Sequence, residues 1–157
     1  MRGSKKIHLH TIEPDSKYKN IYLAKFINKI MLNGKKETAQ KLVYDALEEV
    51  KKRTQLDPIV VFEQAIKNAS PQLEVRSKRI GGATYQVPME VRPDRKNALA
   101  THWIIDAARG KQGKPYSIFL ADELIDSYNG VGSAMKKKEE MHKMAEANKA
   151  FVHFARF

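Results

Sequence analysis

At Pro71 the hydrophobic period of this chain changes. Before it, Ala39, Leu42, Val43, Ala46, Leu47 and Val50 recur at the three- and four-residue spacing of an amphipathic helix. From Leu73 to Val91 apolar and polar residues alternate every second position around the pair Gly81-Gly82. After Pro93 helical spacing returns through Leu99, Trp103 and Ala107. A single period-two window split by a paired glycine can form one β-hairpin and no larger sheet. The expected fold is mainly α: a six-helix bundle with one protruding β-hairpin (about 73–91). An extended, flexible basic N-terminal arm (1–14) precedes a single helical domain (15–157), and a chain of 157 residues is long enough to bury a core without staples.

Punctuation sets the helix limits. Asp15 or Ser16 can cap a first helix running to about Leu32, with Tyr22, Phe26, Ile27, Ile30 and Met31 at helical spacing and Gly34 at its stop. The second carries the stripe from Ala39 to Val50 and ends on Lys51, Lys52 and Arg53, where cations offset the helix dipole. Asp57 caps the third, Pro58 takes its first position, and Val61, Phe62, Ala65 and Ile66 form its stripe. The fourth follows Pro93 and ends at Gly110, with Trp103 in the core. The fifth follows Pro115, with Leu120, Leu124, Ile125 and Tyr128 inward and Gly130 at the stop. The sixth starts near Ser133 and runs through "AMKKKEEMHKMAEANKA" with a thin stripe of Ala134, Met141, Ala145 and Phe151, so it is expected at the periphery. In the hairpin, Leu73, Val75, Tyr85, Val87, Met89 and Val91 are expected on one face, and Glu74, Arg76, Lys78, Thr84, Gln86 and Glu90 on the other. Pro88 lacks an N–H and requires an unpaired edge, which a two-stranded ribbon supplies.

Charge narrows the function. The chain carries 29 Lys and Arg against 18 Asp and Glu, a net +11 with a pI near 9.8. The excess is banded: 9 basic against 2 acidic residues in 1–36, 6 against 2 in 75–96, and 6 against 3 in 135–157, with slightly acidic stretches between. Such a field favours a polyanion. No apolar run is long enough to span a bilayer, and the last helix lacks the bulky apolar face of a membrane-surface binder. The absence of cysteine removes disulfides, thiolate chemistry and Cys-ligated zinc, and suits a reducing, cytoplasmic setting.

Nothing points to catalysis, a cofactor or a metal. His8, His10, His102, His142 and His153 do not fall at metal-ligand spacings. "MLNGKKET" fails as a phosphate loop, because Lys29 stands where its first glycine belongs and Lys36, not Ser or Thr, follows Lys35. "GVGSAMKKK" reads either as a phosphate-binding turn or as a helix stop followed by a new cap.

Three strings carry a family resemblance: "KFINKIMLNGKKETAQKLVYDALE" (25–48), "LEVRSKRIGGATYQVPMEVRPDRK" (73–96) and "HKMAEANKAFVHF" (142–154). They closely resemble the bacterial-type family of protein seven of the small ribosomal subunit, over nearly the whole chain from about Glu13. The resemblance implies a helical bundle with a protruding hairpin. It implies binding to the 3′ major domain of the small-subunit ribosomal RNA and nucleation of head assembly, beside neighbouring ribosomal proteins. It also implies that the hairpin and last helix face tRNA and mRNA at the exit site. This places the protein on the cytoplasmic bacterial ribosome, with no enzymatic role. Three positions depart from the family's pattern. His102 stands where an arginine usually precedes the tryptophan, Phe119 stands at a common arginine position, and the chain ends "FARF".

Cations and turns then divide into two candidate groups. Arg76, Lys78, Arg79, Arg92, Arg95 and Lys96 flank the hairpin, and the last three oppose the dipole of the helix they precede, which favours a ligand. With Lys35 and Lys36, Lys114, Lys136, and Arg2, Lys5 and Lys6 of the arm, they form the candidate ribosomal RNA contacts. The second group, near tRNA and mRNA, is Gly81, Gly82, Ala83, Thr84 and Tyr85 of the hairpin with His142, Lys143 and Lys149. Tyr85 can stack on a base or pack beside Val87. A helix-turn-helix or β-ribbon DNA-binding regulator is the competing reading, although the best basic cluster lies on a ribbon and not on a recognition helix.

Overall fold

The computed structural model describes residues 11–156; the candidate contacts Arg2, Lys5 and Lys6 lie outside them. The chain divides into two compact units, one ending at Gln40 and one running from Lys41 to Phe157. Among the described residues are six α-helices, a two-stranded antiparallel sheet and a C-terminal 3₁₀ helix. None of the helices is long and apolar enough to cross a membrane.

In the first unit, α1 (Ile21–Ile30) starts later than its sequence suggests. Asp15 does cap a turn, accepting the N–H groups of Lys17 and Tyr18 at 3.1 and 3.0 Å. Lys19, at φ 53°, then breaks that turn, and Asn20 caps the helix by accepting from Tyr22 and Leu23. Phe26, Ile27 and Ile30 are buried as expected, Leu23 joins them, and Tyr22 is exposed while Met31, past the helix end, is half-buried, contrary to the expected stripe.

The helix α2 (Lys36–Thr54) buries Ala39, Val43, Ala46, Leu47 and Val50 as its spacing requires. Asp57 caps α3 (Pro58–Ala69) by accepting from Ile59 at 2.9 Å, and Val61, Phe62 and Ala65 are buried. In α4 (Pro93–Arg109) the buried stripe is Ala100, Thr101, Ile104, Ile105 and Ala108. The expected stripe through Leu99, Trp103 and Ala107 is only half-buried. Two β-branched isoleucines fill the space between helices, and the indole lies along the margin. In α5 (Tyr116–Tyr128) Phe119, Leu120, Ala121 and Leu124 face the core. It packs on α3 and α4, while α6 (Ser133–Ala147) packs on α4 and on the hairpin.

Where α6 was expected to continue through Ala150, it stops at Asn148, which donates its backbone N–H and its side-chain amide to the Met144 carbonyl at 3.2 and 2.8 Å. A 3₁₀ helix (Lys149–Arg156) follows. Runs of this kind longer than a turn are uncommon on their own, and this one is held by packing against the hairpin.

Candidate nucleic-acid interface

Strands β1 (Leu73–Ile80) and β2 (Ala83–Glu90) flank Gly81 and Gly82, whose φ values of 56° and 88° make the two-residue turn that matches the natural strand twist. A two-residue turn pairs positions equidistant from it, so Lys78 faces Tyr85, Arg76 faces Val87 and Glu74 faces Met89. Cross-strand partners share a face of the sheet. The faces are therefore not those expected above: even positions of β1 lie with odd positions of β2. Leu73 is consequently exposed and Glu74 is buried, at 3% of its full exposure. The turn length written in Gly81-Gly82 carried this information; alternation within each strand did not.

Burying Glu74 requires partners, and two arginines supply them. Arg76, two residues along β1, donates from Nε to Oε1 at 2.5 Å, and its Nη2 meets the same oxygen. Arg95, in the first turn of α4, donates from Nε to Oε2 at 2.6 Å. Burial raises the Glu74 pKa, but the hydrogen bonds and charges of Arg95 and Arg76 outweigh it and hold the carboxyl below its ordinary value. Both arginine side chains remain nearly half exposed, at 48% and 47%. The structure thus brings together two candidate contacts that lie 19 residues apart in sequence. Arg79, Arg92 and the tip residues Gly81 to Thr84 are exposed, and Lys96 is half-buried.

The underside of the hairpin is covered. Tyr85 packs against Phe151 and Phe154 of the 3₁₀ helix, with ring centroids 5.3 and 5.0 Å away. Lys78 donates from Nζ to the Phe154 carbonyl at 3.2 Å. Tyr85 therefore packs, as its alternation suggested, and Lys78 lies over a docked segment. Sequence reasoning did not detect this contact, although the three-residue spacing of Phe151 and Phe154 is that of a 3₁₀ face. At the base of the hairpin the backbone N–H of Gln72 donates to His142 Nε2 at 3.1 Å. Burial, and then the charge of Lys138, keep the His142 pKa below its ordinary value. His142 thus lies beside the hairpin base, lining a groove with Leu73, Pro88, Met89, Lys149 and Val152. Lys143 and Lys149 are exposed.

Other basic positions separate by environment. Lys35 and Lys36 are exposed at the start of α2, and Lys114 is exposed in the turn before α5. In the run Lys136–Lys138, Lys138 donates to the Asn68 carbonyl at 2.6 Å and Lys137 lies 3.7 Å from Glu140, while Lys136 is exposed. Arg53 joins Glu49 at 2.7 Å and Asp122 of α5 at 2.5 Å, a tie between helices as well as a dipole partner. The "GVGS" turn resolves in favour of a helix stop. Gly132 caps α6 at φ 96°, and a Cβ there would stand 2.8 Å from Asp126 Cβ and 3.4 Å from Glu123 Oε2. An anion in that turn would face two carboxylates. Phe119, where the resemblance leads to the expectation of an arginine, is buried and packs in the core.

Comparison with known proteins finds relatives over most of the chain. A family profile described as ribosomal protein S7p/S5e matches residues 2–149. The chain is 52% identical over 149 residues to the small ribosomal subunit protein uS7 of Pseudothermotoga lettingae, covering 95% of this chain and 96% of the relative. It is 52% identical over 143 residues to the protein of the same name from Treponema denticola, covering 91% and 92%. For that of Chloroflexus aurantiacus the identity is 50% over 150 residues, covering 96% of each.

Proposed function

The chain belongs to the ribosomal protein S7p/S5e family, a family of ribosomal proteins and not of enzymes, and from that premise we propose that it binds the 3′ major domain of small-subunit ribosomal RNA. In this reading it nucleates folding of the subunit head in the cytoplasm and contacts neighbouring ribosomal proteins. The hairpin tip and the end of α6 lie towards tRNA and mRNA at the exit site.

The observation that carries the reading is the basic hairpin base. Folded RNA is recognised through phosphate, shape and 2′-hydroxyls. Arg76 and Arg95 offer planar forks suited to phosphate, with Arg79 and Arg92 exposed nearby in sequence. Lys35, Lys36, Lys96, Lys114 and Lys136 extend the candidate contacts, and the arm residues Arg2, Lys5 and Lys6 join them. Affinity gained by counterion release falls steeply as salt rises. The uncharged tip, Gly81 to Thr84, suits entry into a crowded site better than anchoring.

Crosslinking in cells followed by sequencing of the attached nucleic acid tests the reading. Reads concentrated in the 3′ portion of small-subunit RNA are expected. Enrichment of promoter DNA would overturn it in favour of a regulator.

A further inference from the structure

A carboxylate in a surface meant for RNA phosphate is electrostatically unfavourable, yet Glu74 lies at the centre of the basic hairpin base. We infer that Glu74 is a positioning residue, orienting the guanidinium groups of Arg76 and Arg95 so that together they bind the phosphodiester backbone of RNA. The inference rests on the RNA-binding reading above.

The geometry supports this division of labour. A guanidinium has two edges that can each make paired hydrogen bonds, one through Nε and Nη2 and one through Nη1 and Nη2. Arg76 turns its Nε side to Oε1, and Arg95 turns its Nε to Oε2. Each carboxylate oxygen therefore serves one arginine from its Nε side. Among the described residues, no protein acceptor meets Nη1 or Nη2 of Arg95 or Nη1 of Arg76. Both outer ends lie on side chains that are nearly half exposed, whereas the carboxylate itself is buried. The triad retains a net +1, enough to favour a phosphate. Glu74 stands on β1 and Arg95 on α4, so the pair also sets the two guanidiniums in one place from two elements. Partners that orient a ligand-binding group in this way commonly matter as much as the groups they hold.

The test separates positioning from charge by sign. Glu74→Gln removes one negative charge and so raises the net positive charge of the site by one. If Glu74 were only a misplaced acid, affinity for a transcript of the 3′ major domain would rise. Positioning predicts that affinity falls about tenfold, the loss expected when charge-assisted hydrogen bonds are misaligned. A second arm replaces both arginines by lysine (Arg76→Lys with Arg95→Lys), which preserves charge and removes the fork. This protein is also expected to lose about tenfold, and adding Glu74→Gln to it should cause no further loss. Filter binding at several salt concentrations reads all four proteins. Unchanged or tighter binding by Glu74→Gln, or an equal further loss in the lysine background, overturns the positioning role. If Glu74→Gln fails to fold, the lysine protein carries the test, and binding equal to wild type overturns it. Failure of the wild-type protein to bind the transcript in a salt-dependent way would instead overturn the RNA-binding reading.

Discussion

The ring of Tyr85 in β2 lies 5.0 Å, centroid to centroid, from that of Phe154 in the C-terminal 3₁₀ helix. The end of the chain thereby closes over a hairpin that would be marginal in water alone. Tyr85→Ala and Phe154→Ala should not be additive. Thermal denaturation of both single variants and the double variant should give a coupling of about 0.5–1.5 kcal/mol, the usual range for an aromatic pair. Additive losses would show that the contact does not stabilise the hairpin.

The hairpin tip should respond to backbone conformation and not to crowding. Gly81 has φ 56°, and a Cβ there would meet no atom within 4 Å. Gly81→Val should cost about 1–2 kcal/mol of hairpin stability, because a branched side chain disfavours the left-handed region. Gly81→Asn should cost clearly less, since Asn-Gly suits the same turn. Hydrogen exchange of the hairpin amides measures both, and equal protection in the two variants would refute the turn assignment.

His142 should make stability sensitive to mild acid. Its Nε2 accepts the Gln72 N–H, so the folded protein holds the ring neutral, and its pKa lies below the ordinary 6.5. The unfolded chain then binds the proton more readily. Stability is complete above the ordinary value and is lost as pH falls through the lower folded value. The midpoint of thermal unfolding should drop between about pH 7 and pH 5, and the drop should shrink in His142→Gln. Parallel profiles for the two proteins would exclude His142 as the source. Glu74, also held below its ordinary value, should add a second loss at more acidic pH.

Gly132→Ala should be more harmful than its conservative character suggests. The new Cβ would stand 2.8 Å from Asp126 Cβ, an atom fixed to its own backbone, at a φ of 96°. Crowding and left-handed strain act together here, for a cost of about 1–3 kcal/mol. Thermal denaturation tests this, and a wild-type midpoint would contradict the close approach of α5 and the start of α6.

The strength of local signals explains what was legible before folding. The stripe from Ala39 to Val50, apart from the half-buried Leu42, and the Asp57-Pro58 start of α3 form as read, because both depend on residues a few positions apart. The late start of α1 was obscured because Asp15 and Asn20 both cap, and only one leads into a helix. The candidate site was half legible. Its cations stand out in the sequence, but Glu74 was placed on the face opposite Tyr85 and Val87, because alternation gives the period of each strand without the phase between them.

By itself the sequence determined the single hairpin at residues 73–91, its glycine turn, the banded positive charge and the family. These follow from local backbone preference, composition and long ungapped strings. Only the tertiary structure decided which hairpin face is covered, that Glu74 is buried between Arg76 and Arg95, and that Phe151 and Phe154 return to Tyr85. Apart from the Glu74–Arg76 pair, these contacts join residues tens of positions apart. Their energies exist only once the helices have set the elements side by side, and no local pattern names the partner.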